Sequence, residues 1–86
     1  MCNNFKVVFT PHGEDLSQPV GWCGTRDEVM RLIRSHLDLI NTDRVDTGIS
    51  MQRSSGGERE FEVLVYRKGT DRITGSLGYY TQIERD

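Results

Sequence analysis

Cysteine, proline, excess charge and long apolar runs are all scarce in this 86-residue chain, and each scarcity removes a class of protein. Two cysteines, Cys2 and Cys23, are too few for the disulfide framework of a small secreted domain. Cys2 lies in a terminal segment, so the expectation is a reduced, cytoplasmic protein rather than one with a Cys2–Cys23 bridge. No stretch approaches the ~18 apolar residues of a membrane span, and MCNNFK lacks the apolar run of a signal peptide. No membrane partner is expected. Eleven Lys and Arg against 13 Asp and Glu leave a net charge of −2, the wrong balance for a general nucleic-acid binder, which needs basic side chains in excess to neutralise phosphates. Arg53, Arg59, Arg67, Lys68 and Arg72 do gather, but Glu58, Glu60, Glu62 and Asp71 interleave with them, which reads as a solvated mixed-charge hairpin. Only 21 of the 86 residues are Leu, Ile, Val or Phe, enough for one two-layer core in a single domain spanning 1–86.

What the chain does have is one strongly marked helix, TRDEVMRLIRSHLDLI, from Thr25 to Ile40. Thr25 and Glu28 form a capping box, in which each side chain satisfies a backbone N–H that the first turn leaves orphaned. At 100° per residue Val29, Ile33, Leu37 and Ile40 fall on one face, flanked by Met30, Leu32 and Leu39, opposite Asp27, Arg31, Arg34 and Asp38. Asn41, Thr42 and Asp43 end it in polar residues.

Around the helix, strand signals come in sequence. Phe5, Val7 and Phe9 alternate with Lys6, Val8 and Thr10 in a strand ended by Pro11. Residues 11–24 hold both prolines and three of the nine glycines, a loop with room for a short edge strand at 18–22. Ile49–Arg53 is a weaker strand, SSGG at 54–57 a turn, and Glu60–Arg67 the strongest strand signal. KGTD at 68–71 turns again, and Arg72–Glu84 is a last strand with a bend at Gly75 or Gly78. The expected fold is therefore α+β: a two-layer sandwich with one amphipathic helix on a mainly antiparallel four-stranded sheet, β-α-β-β-β, whose first strand enters by a right-handed crossover.

One helix covers one face of a sheet. Strand period places Phe5, Val7, Phe9, Ile49, Met51, Phe61, Val63, Val65, Ile73 and Leu77 toward the helix. It leaves Val8, Leu64, Tyr66 and Tyr80 outward, among Lys6, Glu62 and Gln82, with Tyr79 replacing Tyr80 if a glycine shifts the last strand by one. An apolar and aromatic patch rimmed by charge marks an interaction face. A second candidate contact is the 11–24 loop, through His12, Glu14, Asp15, Trp22 and Cys23.

Chemistry has few footholds. Cys23 stands two residues before the helix cap, where the dipole lowers a thiol pKa, and His12 lies in the same loop as a conceivable base, oriented by Glu14 or Asp15. Nothing in the spacing requires them to meet. GWCG lacks the second cysteine of the thioredoxin motif, and no CxxC or HxxxH spacing implies a metal. SSGGE joins two strands and is followed by no GK[ST], so it is a hairpin turn rather than a phosphate cradle. EFEVLVYR lacks the basic, glycine-containing pattern of an RNA-binding strand. His36, on the apolar helix face, is read as a packed histidine with one hydrogen-bonded nitrogen. No cofactor, metal or catalytic set is expected.

These readings favour a non-enzymatic module that binds another protein. In size and mild acidity the chain is similar in build to small inhibitors that phages and mobile elements encode against host defence complexes, a likeness that no motif carries. Such a role implies a regulator or inhibitor of a larger, nucleic-acid-handling or host-defence complex, with Glu14, Asp15, Glu58, Glu60 and Glu62 against a basic site. The alternatives are a small enzyme or ligand-binding domain centred on Cys23 and His12, and a homodimer that buries its own Tyr66/Tyr80 face.

Overall fold

A computed structural model describes residues 4–55 and 58–84 of the chain. Six elements succeed one another: β1 (Phe5–Pro11), β2 (Gln18–Cys23), α1 (Arg26–Ile40), β3 (Asp46–Ser55), β4 (Glu58–Tyr66) and β5 (Ile73–Glu84). The strands form one antiparallel sheet in the order β2-β1-β5-β4-β3, with α1 packed across one face. The expected α+β sandwich is present with five strands. The segment at 18–22 is a strand and reaches Cys23, because β1 offers it a free edge after a short turn. No crossover leads into β1, which pairs antiparallel with β2 on one side and β5 on the other. The long connection is instead α1, which carries the chain from the β2 edge to the β3 edge.

The helix forms where its caps place it. Thr25 is N-cap, and its hydroxyl accepts from the Glu28 N–H at 3.3 Å. The Glu28 carboxylate reaches back to the N–H of Gly24, one residue beyond the cap itself. At the other end the Asn41 N–H donates to the Leu37 carbonyl, and the Asn41 side chain bridges the backbone of Val45 through bonds of 3.0 and 3.1 Å. That clamp turns the chain into β3, and Arg44 takes a positive φ of 51° within it.

Val29, Ile33 and Leu37 are the buried stripe of α1, with Met30, Leu32 and Ile40 half-buried beside them. They pack on Phe5, Val7 and Phe9 of β1, Phe61 and Val63 of β4, and Tyr80 of β5. Burying each such side chain contributes about 1.5–3 kcal/mol. Three residues expected in this core are outside it: Leu39 is 77% exposed, Met51 57% and Ile73 55%. Leu39 lies past the edge of the buried stripe, Met51 sits on the edge strand beyond the reach of α1, and Ile73 lies on the other face.

Ile73 lies opposite the outward Tyr66, and two bulges interrupt β5 between it and Tyr80. Tyr66 pairs with Ile73, Val65 with Gly75, Leu64 with Ser76 and Val63 with Gly78, so Thr74 and Leu77 have no counterparts on β4. Each extra residue reverses the inward–outward alternation of the residues beyond it. Two reversals cancel, so only Gly75 and Ser76 between them change face. Tyr80 points inward and is fully buried because it pairs with the inward Phe9 and Phe61, which leaves Tyr79 outward. The expected turn at 54–57 includes Gly56 and Gly57, which lie outside the described residues, as does Cys2.

Candidate protein-binding face

Cross-strand pairing sorts the face that α1 leaves open into rows. Trp22, Lys6, Ile83 and Glu58 form one row from β2 to β4. Val8, Thr81 and Glu60 form the next, then Thr10, Tyr79, Glu62 and Ser50. Leu64 lies opposite Gly48, and Tyr66 opposite Asp46. No described element covers these side chains; most are half-buried against one another.

Several are held in place. The Tyr66 ring lies over Gly48, where an added Cβ would come within 2.8 Å of its edge. Glycine at that position therefore seats the ring across the strand pair. Lys6 Nζ stands 5.7 Å from the centre of the Trp22 ring, a cation–π contact at the β2 edge. The Tyr79 hydroxyl donates to the Glu62 carboxylate, and that bond, with the charges of Glu62 and Glu60, pushes the Tyr79 pKa above its ordinary value. Glu58, Glu60 and Glu62 alternate along β4 and so present carboxylates about 7 Å apart on the open face. Acidic and aromatic groups thus share one surface.

Of the residues expected here, Val8, Leu64, Tyr66, Tyr79 and Glu62 lie together on this face. Tyr80 does not: it belongs to the core, so no interface uses it and no homodimer buries a Tyr66/Tyr80 face. Ile83 was missed, and its signal was the parity of Tyr79 and Thr81 once the last strand is shifted. Trp22 belongs here rather than to a loop.

The loop candidates are separated. His12, Glu14 and Asp15 are exposed where β1 turns toward β2, with the His12 N–H donating to the Leu77 carbonyl. Cys23 pairs with Phe5, at the far end of β1. Pro11 and Phe5 are six strand residues apart, about 20 Å, so His12 cannot serve Cys23 as a base. The Cys23 thiol is free and buried, and burial pushes its pKa up, with the Glu28 carboxylate acting in the same direction. This opposes the activation expected from the helix terminus. Among the described residues no three His, Cys, Asp or Glu side chains come together as a metal site, and no helix is long and apolar enough to cross a membrane.

His36 is half-buried against the core. Its Nδ1 is 2.7 Å from the Tyr80 hydroxyl, and its ring meets Tyr80 edge-on at 5.5 Å and Phe9 at 5.4 Å. Burial lowers the His36 pKa, so below about pH 6.5 the unfolded chain takes up a proton that the folded one resists. Stability is therefore complete above that pH and falls as the pH drops toward the folded-state pKa. Urea unfolding across this range should show the loss, and His36→Gln should flatten it.

Comparison with family models, with curated proteins and with solved structures yields no match to this chain, so its functional reading rests on the face itself.

Proposed function

We propose that this chain is a non-enzymatic protein-binding module that docks through the open sheet face onto a partner with an apolar patch bordered by Lys and Arg. The observation that supports the reading is the composition of that face: Val8, Leu64, Tyr66, Tyr79 and Ile83 beside the carboxylates of Glu58, Glu60 and Glu62, with no described element over them. Aromatic and aliphatic side chains supply desolvated contact, and the acidic row supplies orientation and on-rate toward a basic surface. Basic surfaces of this kind serve phosphate backbones, so the finer proposal is a regulator or inhibitor that occupies a site meant for nucleic acid in a larger complex, of the host-defence type among others. The acidic row, rather than any catalytic group, carries that step. With Cys23 buried and remote from His12, no observation favours the enzymatic alternative.

The test is affinity capture from a lysate of the source organism, comparing wild type with Val8→Glu/Tyr79→Glu and with Leu39→Glu on the exposed side of the helix. The expected result is a partner retained by wild type and Leu39→Glu and weakened about tenfold or more by the open-face pair. Reversing Glu58, Glu60 and Glu62 to Lys should weaken it as well, and nucleic acid should compete with wild type for it. A partner that binds all variants equally, with circular dichroism confirming that each is folded, overturns the proposal.

A further inference from the structure

The sheet has two free edges, and they differ. β2 has six residues, contains Pro19, and slips register where Val20 bulges. Such an edge resists further pairing. β3 has ten residues without proline and pairs regularly from Asp46 to Met51 before its register slips at Gln52. Its outer side meets no other strand among the described residues. On this strand Thr47, Ile49 and Met51 point to the helix side, opposite Val65, Val63 and Phe61. Met51 projects there, more than half exposed. Beside Thr47 lies a cleft of about 330 Å³ between α1 and β3, lined by Met30, Arg34, Leu37, Thr47, Gly48 and Ile49. An apolar knob and a hole with apolar walls at Met30, Leu37 and Ile49 therefore occupy the same edge, one on each side of Ile49.

We propose that two copies of this chain pair antiparallel through β3, on a two-fold axis at Ile49, with Met51 of each copy entering the α1–β3 cleft of the other. In this register Ile49 opposes Ile49, Gly48 opposes Ser50, and Thr47 opposes Met51. Directly opposed residues share a sheet face, so Met51 reaches the cleft mouth beside Thr47 of the second copy. The occupant is a second copy because knob and hole are complementary within one sequence, which is the condition for an isologous two-fold interface. Size agrees with this. The edge from Asp46 to Gln52 is about 24 Å long and the molecule is 22 Å across. The contact then covers about 500 Å² per copy and about 1,000 Å² in total, the lower bound of specific interfaces. A reversible, concentration-dependent dimer results. Both helices lie on one side of the joined sheet and the open faces continue on the other, so the docking face stays free and is tested separately.

Sedimentation equilibrium from micromolar to millimolar concentration should show monomer passing to dimer, and Met51→Lys should move that transition up by about tenfold or more. In a Cys2→Ser background, Ile49→Cys should oxidise to a disulfide-linked dimer, since opposed Cα atoms lie about 4.5–5.5 Å apart. Met51→Cys, four strand residues from its own copy, should not. A wild-type chain that stays monomeric at millimolar concentration overturns the proposal. So does a dimer indifferent to Met51→Lys, or one that fails to link through residue 49 while circular dichroism shows it folded.

Discussion

Gly78→Ala is expected to remove most of the stability of this protein. Gly78 holds φ at +142°, in a region that side chains with a Cβ rarely enter. A Cβ there would fall against the Thr10 carbonyl oxygen, well inside contact distance, and 2.9 Å from the Phe9 ring. Neither can yield easily. Thr10 is held by the β1–β5 ladder, and Phe9 is buried under the helix against Tyr80 at 4.7 Å between ring centres. Backbone strain and the clash together should cost about 3 kcal/mol or more. Stability for a chain of this length lies near the lower end of the usual range of about 5–15 kcal/mol. Gly75→Ala is the matched control, because a Cβ at Gly75 meets nothing within 4 Å. It should stay within about 1 kcal/mol of wild type. Urea unfolding of the two variants decides the matter, and equal midpoints would show that the bulge geometry is not what Gly78 provides.

Tyr80→Ala and Tyr79→Ala should differ severalfold although the residues are neighbours. Tyr80 is fully buried, touches Phe9 and His36, and bonds His36 through its hydroxyl. Emptying that site should cost about 3–5 kcal/mol, as for other large aromatic side chains removed from a core. Tyr79 stands on the open face with its hydroxyl on Glu62, and truncating it should cost less than about 1 kcal/mol. Tyr80→Phe separates ring from hydroxyl: it keeps the packing and should lose about 1 kcal/mol, the value of one hydrogen bond. Thermal or urea unfolding of the three variants reads the strand register directly. If Tyr79→Ala were the costlier change, the inward and outward faces of β5 would be exchanged and the proposed docking face would lose its central tyrosine.

Both outcomes turn on the register of β5 against β1 and β4, which also decides what the open face contains. Paired one residue out of step, the face would present Tyr80 and Gln82. With Tyr80 opposite the inward Phe9 and Phe61 it presents Tyr79, Thr81 and Ile83, and Gln82 is buried. The direction of one strand face is thus a consequence of cross-strand register rather than of average hydrophobicity.

The helix, β1 and β4 were legible in the sequence because their signals are local. A cap at Thr25, the Val29–Ile33–Leu37 stripe and the alternation of Phe5, Val7 and Phe9 each lie within one turn or one strand and place the same residues in the core. The uncovered face with Val8, Leu64 and Tyr66 came from counting one helix against one sheet. Tertiary structure decided the rest. Whether Gln18–Cys23 pairs at all depends on the free edge of β1, and which tyrosine is buried depends on how β5 slips against β4. The separation of His12 from Cys23 depends on β1 and β2 running antiparallel, which sends two residues of one loop to opposite ends of the hairpin. Periodicity within a segment reports the face of each residue only while pairing is regular, and pairing belongs to two segments at once.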